Sequence, residues 1–182
     1  VTFSDRAIAA VKARKTKVQS WFLDLNLVLA YWDGEGGRSY HHTAPVNALF
    51  GLSEALAMVE EEGLENAWAR HARTHNALRA GMEAMGIAFL VDPAHRLPQL
   101  NTVFIPEGLD DAATRGALLR GYGIEIGAGL GPFAGKIWRI GLMGESSRIN
   151  HVLILLAALE KQMREAGVSV PGSGVEAAAA AA

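Results

Sequence analysis

Tyr40–His41–His42–Thr43 places two hydroxyls three residues apart, at the start of an expected helix. Hydroxyls beside helix N-terminal N–H groups can hold an anion such as phosphate. Those N–H groups lack intrahelical partners and lie at the positive end of the helix dipole. Simple capping by Thr43 accounts for the same residues, so the spacing leaves both readings open. Arg139 is the second candidate. It stands in the apolar run Ile137–Trp138–Arg139–Ile140–Gly141–Leu142, and in a strand Trp138 and Ile140 point away from it. A permanent charge in a half-buried strand needs a carboxylate, carbonyl or phosphate partner. The guanidinium fork matches a carboxylate with two parallel hydrogen bonds. The pattern does not separate a structural ion pair from a substrate carboxylate.

Two other patterns carry less chemistry. His71 and His75, at i and i+4, could face one metal, but Ala72 stands where a metalloprotease needs its glutamate base. Both histidines fall on an apolar helix stripe, so packing with a hydrogen-bonded tip is the expectation, and no metal is assigned. The run from Gly127 to Lys136 is glycine-rich, yet Leu130, Pro132 and Ile137 break the phosphate-loop and dinucleotide spacings. Those motifs open a helix, whereas this run leads into a strand.

The elements that must position these residues follow from punctuation and period. Ser4–Asp5 starts a first helix carrying Ile8 and Val11, and a second follows Asp24 with Leu27, Val28, Tyr31 and Trp32. Asp33–Gly34–Glu35–Gly36–Gly37 reads as a loop. Thr43 caps a third helix, with Pro45 near its first turn and Val46, Leu49, Phe50, Leu56 and Val59 along it. After Gly63 comes the cleanest helical stripe: Leu64, Trp68, His71, His75, Leu78, Met82 and Met85. Strands are expected at 87–91, 102–105, 124–126 and 137–140, with helices from Asp110 to about Arg120 and from Ser146 or Ser147 through Met163. This order implies an α+β layer sandwich. Pro171–Gly172–Ser173–Gly174 and the alanine run to Ala182 read as a flexible tail.

Composition excludes several classes. Half of the 182 residues are hydrophobic, 20% are charged and the net charge is −2. The basic run at 12–17 lacks a clustered face or aromatic platform, so no nucleic-acid partner is assigned. Without cysteine, disulfides and thiolate metal sites are excluded, and a reducing, cytoplasmic setting is the expectation. No apolar run approaches the roughly 18 residues of a membrane span, so no membrane partner is assigned.

The run Tyr40–His41–His42–Thr43–Ala44–Pro45–Val46 resembles the Tyr-His-His-Thr-x-Pro-Val segment of the alanine/serine–glyoxylate aminotransferases, in class V of the fold-type I enzymes. Arg14–Lys15–Thr16–Lys17, Phe22–Leu23–Asp24, Glu62–Gly63–Leu64–Glu65 and Arg139–Ile140–Gly141–Leu142–Met143–Gly144 match at similar spacing, so the resemblance covers about residues 1–165. It implies a pyridoxal 5'-phosphate transaminase that moves an amino group from alanine or serine to glyoxylate or pyruvate. It also implies a homodimer whose active site is shared between subunits. Tyr40 and Thr43 would contact the cofactor phosphate from the neighbouring subunit, and Arg139 would bind the substrate carboxylate. The family's cofactor-binding lysine lies upstream of the segment matching Val1, and Lys12, Lys15, Lys17, Lys136 and Lys161 do not match its motif. No catalytic residue is therefore assigned here. The chain is read as a C-terminal fragment, unable to transaminate alone and beginning with Val rather than Met. Residues 1–62 would end the large α/β domain, 63–167 would form the small α+β domain, and 168–182 the tail. A non-catalytic binding or dimerisation module is the alternative class. A cysteine-desulfurase or kynureninase relative is the alternative within the enzymes.

Overall fold

The computed structural model describes residues 1–32 and 39–182. The expected glycine-rich loop at 33–37 lies outside the described residues. Two compact units are present, Val1–Leu56 and Ala57–Ala182.

The first unit holds α1 (Asp5–Ala13), α2 (Leu25–Trp32) and most of α3 (Val46–Glu62). Ser4 caps α1 by accepting from the Ala7 N–H, as the sequence implies. Asp24 accepts from the Asn26 N–H at the start of α2, at 3.0 Å. The start of α3 differs from expectation. Helix geometry begins at Val46, and the Pro45 carbonyl accepts from the Leu49 N–H at 3.0 Å. The Thr43 hydroxyl pairs with the Tyr40 hydroxyl instead of a helix N–H. Proline has no N–H of its own to be left without a partner, so the chain can enter the helix directly behind it.

The second unit contains the end of α3, then α4 (Leu64–Ala84), β1 (Leu100–Phe104), α5 (Asp111–Tyr122), β2 (Gly127–Ala128), β3 (Ile137–Gly141), α6 (Ile149–Glu165) and α7 (Gly174–Ala180). Gly63 separates α3 from α4 at φ 80°, a backbone region that glycine occupies without steric cost. Asp110 caps α5 by accepting from Ala113 N–H at 2.7 Å, and Gly123 closes it at φ 65°. The three strands form an antiparallel sheet in the order β1-β3-β2. Val103, Trp138 and Ile140 face the core against Leu78 and Met82 of α4 and Val152, Leu156 and Leu159 of α6. The α+β layering expected from the element order is therefore present.

Four local expectations are corrected. Residues 87–91 make a single antiparallel bridge, Phe89 to Val103, instead of a full strand. The strand expected at 124–126 is displaced to Gly127–Ala128, because Ile124 is still tied by its N–H to the Leu118 carbonyl behind α5. Arg148, not Ser146 or Ser147, occupies the cap position of α6, since the Ser147 hydroxyl is buried against Thr74 at 2.7 Å. The expected tail forms α7, which packs against α4 and α6 and fully buries Ala178. Alanine is the strongest helix former. Glycine and alanine let α7 lie so close to α4 that a Cβ at Gly81 would sit 2.8 Å from the Gly174 carbonyl oxygen.

Candidate functional site

Within the first unit, the Tyr-His-His-Thr segment is held by its own aromatic neighbours. His41 is buried and stacks on Trp21 with ring centroids 4.0 Å apart. Its Nε2 lies 3.0 Å from the Trp21 carbonyl, and its Nδ1 lies 2.6 Å from the His42 Nδ1. A carbonyl only accepts, so Nε2 carries the proton. Tyr40 meets Tyr31 of α2 edge-on at 6.0 Å. The result is an exposed Tyr40 hydroxyl paired with the Thr43 hydroxyl, just before α3. The two predicted hydroxyls are brought together, and their mutual bond leaves one O–H free to donate to an anionic oxygen.

Arg139 stands in the middle of β3 within the second unit. Cross-strand pairing sets Thr102 of β1 directly opposite it on one side and Gly127 of β2 on the other. Its Nε donates to the Ala128 carbonyl at 2.8 Å. A Cβ at Gly127 would approach the terminal guanidinium nitrogen to 3.3 Å, so the glycine leaves room for the fork. Among the described residues no carboxylate pairs with Arg139, whereas Arg70, Arg79, Arg96, Arg115, Arg148 and Arg164 each have one. A half-buried guanidinium anchored at Nε, with its terminal nitrogens uncommitted among the described residues, is arranged to take a carboxylate in two-pronged fashion. The face it shares with Leu100 and Phe104 is partly open, at 39% and 42% exposure for those two.

Neighbouring groups fix the strand. The Trp138 indole N–H, fully buried, donates to Asp111 at 2.9 Å. Hydrogen bonding to Arg115 holds the Asp111 carboxyl below its ordinary pKa, and the indole adds to this. Beyond β3, Gly144 is gripped twice: its carbonyl accepts from Arg70 at 2.8 Å and its N–H donates to His71 Nε2 at 3.3 Å. Arg70 is in turn forked onto Glu62 at 2.5 and 2.7 Å. Their hydrogen bond lowers the Glu62 pKa and raises that of Arg70. His71 also donates from Nδ1 to the Ala67 carbonyl at 2.6 Å, and His75 bonds Asn101 at 2.6 Å. Both histidines have the hydrogen-bonded tips expected of packing residues. No metal-holding cluster occurs among the described residues. No helix among them is long and apolar enough to cross a membrane.

Sequence reasoning missed Thr102, Gly127, Ala128 and the Glu62–Arg70 fork. The first three meet Arg139 through strand register, which no local pattern encodes. The fork spans eight residues across a helix break, beyond the i+4 spacing that flags a helical pair.

The profile of the aminotransferase class-V family matches residues 25–136. An alanine–glyoxylate aminotransferase from Callithrix jacchus is 40% identical over 166 residues, covering 90% of this chain and 40% of that protein. The solved ureidoglycine–glyoxylate aminotransferase of Bacillus subtilis superposes with a TM-score of 0.89 at 38% identity, covering 99% of this chain and 46% of that one. An alanine–glyoxylate aminotransferase structure from a Nostoc species gives 0.80 at 46% identity, covering 90% of this chain and 43% of that one. The chain thus spans less than half the length of the relatives it matches.

Proposed function

Because the chain belongs to the aminotransferase class-V family, we propose that the full protein moves an amino group from alanine or serine to glyoxylate or pyruvate. Its cofactor in this reading is pyridoxal 5'-phosphate. The observation that carries the reading is Arg139, a strand arginine with Nε anchored on Ala128 and no carboxylate partner among the described residues. Amino donor and oxo acceptor both carry a carboxylate beside the reacting carbon. One fixed guanidinium can therefore orient both, each with the same two hydrogen bonds.

The residues before α3 fit the cofactor's phosphate. Tyr40 and Thr43 present two hydroxyls at one exposed point, held there by the His41–Trp21 stack. On exchanging their mutual bond, each hydroxyl would donate to a phosphate oxygen, and α3 lends the positive end of its dipole. When bound, the cofactor supplies an electron-accepting ring that makes the substrate's Cα proton removable. This chain's part is to hold the two anionic ends. In this reading Tyr40 and Thr43 serve the neighbouring subunit of a homodimer. In the same reading residues 1–62 close a large domain, the small domain runs from 63 through α7, and the cysteine-free chain works in the cytoplasm. The relatives named above, all glyoxylate aminotransferases by name, support the choice of acceptor.

The test is direct. The full-length gene product, stripped of pyridoxal phosphate and then reconstituted, is given glyoxylate with alanine or serine. Pyruvate or hydroxypyruvate should form only after reconstitution. No keto acid from either donor, with glyoxylate or pyruvate as acceptor, contradicts the proposal.

A further inference from the structure

Thr102 carries an anomaly. Its Oγ1 is buried, yet among the described residues it has no hydrogen-bond partner. Buried hydroxyls nearly always find one, and an orphan in a well-packed sheet calls for a reason. Its surroundings narrow the choice. On one flank the Leu90 N–H bonds the Thr102 backbone carbonyl at 3.0 Å, and the Leu90 side chain has neither donor nor acceptor. On the other flank Arg139 is the direct cross-strand partner, so the two side chains leave the sheet on the same face. Bulk solvent does not reach the hydroxyl. Arg139 is the cross-strand neighbour with N–H groups to give.

We propose that Thr102 is a positioning residue for Arg139: its hydroxyl accepts a guanidinium N–H when a substrate carboxylate is bound. The donor count allows this. A guanidinium has five N–H groups. Nε–H is on Ala128, a carboxylate takes two, and one of the remaining two can turn to Thr102. Ala128 then holds the fork from β2 and Thr102 from β1, which fixes its plane for two-pronged contact. The orphan hydroxyl is a contact completed only in the liganded state. This inference rests on the reading of Arg139 as the carboxylate anchor.

The experiment compares Thr102→Val, Thr102→Ser, Arg139→Ala and the Thr102→Val/Arg139→Ala double variant in the full-length holoenzyme. KM for the amino donor, kcat and melting temperature are measured for each. Valine keeps the shape and removes the orphan, so Thr102→Val should melt at or above the wild-type temperature. Its KM should rise about tenfold, the effect of one lost hydrogen bond to a charged group. Serine should restore KM to within about twofold, and Thr102→Val should add nothing once Arg139 is alanine. An unchanged KM in Thr102→Val beside a raised KM in Arg139→Ala overturns the Thr102 role alone. An unchanged KM in Arg139→Ala removes the carboxylate assignment itself, and the Thr102 role with it. A raised KM in Thr102→Val that serine does not rescue, with a fall in melting temperature, makes Thr102 structural and overturns the proposal.

Discussion

Asp111 is the residue whose loss should reach furthest into the sheet. Trp138 is fully buried, and its indole N–H is satisfied by the Asp111 carboxylate at 2.9 Å. The same carboxylate bonds Arg115 at 2.7 Å, with both side chains partly exposed. Asp111→Ala removes both bonds. Leaving a buried N–H unpaired costs about 1–3 kcal/mol, while a partly exposed ion pair contributes about 0.2–1 kcal/mol. Together they come to roughly 1–4 kcal/mol. In a domain of this size each kcal/mol lowers Tm by roughly 2–4 °C, so the expected fall is about 2–16 °C. Asp111→Asn keeps an oxygen for the indole and loses only the charge, so its fall should be at most about 4 °C. Thermal melting at pH 7 followed by circular dichroism separates the two. An asparagine variant that falls as far as the alanine variant would show that charge, not the indole bond, carries the effect. An alanine variant that melts like wild type would refute the reasoning altogether.

The same carboxylate sets a pH dependence. Its folded pKa lies below the ordinary value, chiefly through Arg115 and then Trp138. Its contribution is therefore complete above the unfolded pKa of about 4 and is lost as pH falls through the lower folded value. The Tm gap between wild type and Asp111→Asn should shrink as pH falls below about 4, and a gap that widens there contradicts the sign. Gly81→Val should lower Tm by roughly 2–12 °C, because its Cβ would run into Leu156 Cδ1 of α6 and, at 2.8 Å, the Gly174 carbonyl of α7. A melt unchanged from wild type would mean that α6 and α7 do not close on α4 at this glycine. Tyr40→Phe in the full-length protein should weaken pyridoxal phosphate binding about tenfold, one hydrogen bond to a charged group. Fluorescence titration of the stripped protein measures it, and unchanged affinity would remove Tyr40 from the phosphate site.

Much of the scaffold was legible because its signals are local. Ser4 and Asp110 mark helix starts through contacts within four residues, and the structure uses both as read. The α4 stripe was half right. Leu78, Met82 and Met85 are buried, but Leu64 and Trp68 are 53% and 59% exposed. The seam also recruits Ala67, Thr74, Ala77 and Gly81, small residues that an apolar count passes over and close helix contacts require. The same blindness hid α7, whose glycine and alanines look featureless until α4 lies against them. Of the site, residue type pointed to Arg139, Tyr40 and Thr43. Their surroundings were not readable, because Ala128, Gly127 and Thr102 meet Arg139 only once three strands are in register.

The central claim is that Arg139 is kept free for a substrate carboxylate. Arg139→Ala in the full-length holoenzyme, read by KM for the amino donor and by Tm together, tests it most directly. Losing a two-pronged, charge-assisted contact removes at least about 1.5–3 kcal/mol of binding, so KM should rise tenfold to more than a hundredfold. Tm should stay within a few degrees of wild type, since no carboxylate among the described residues would be stranded. Arg139→Lys, which keeps the charge without the fork, should fall between. An unchanged KM with a Tm loss matching the roughly 3–5 kcal/mol of a broken buried ion pair would contradict the account.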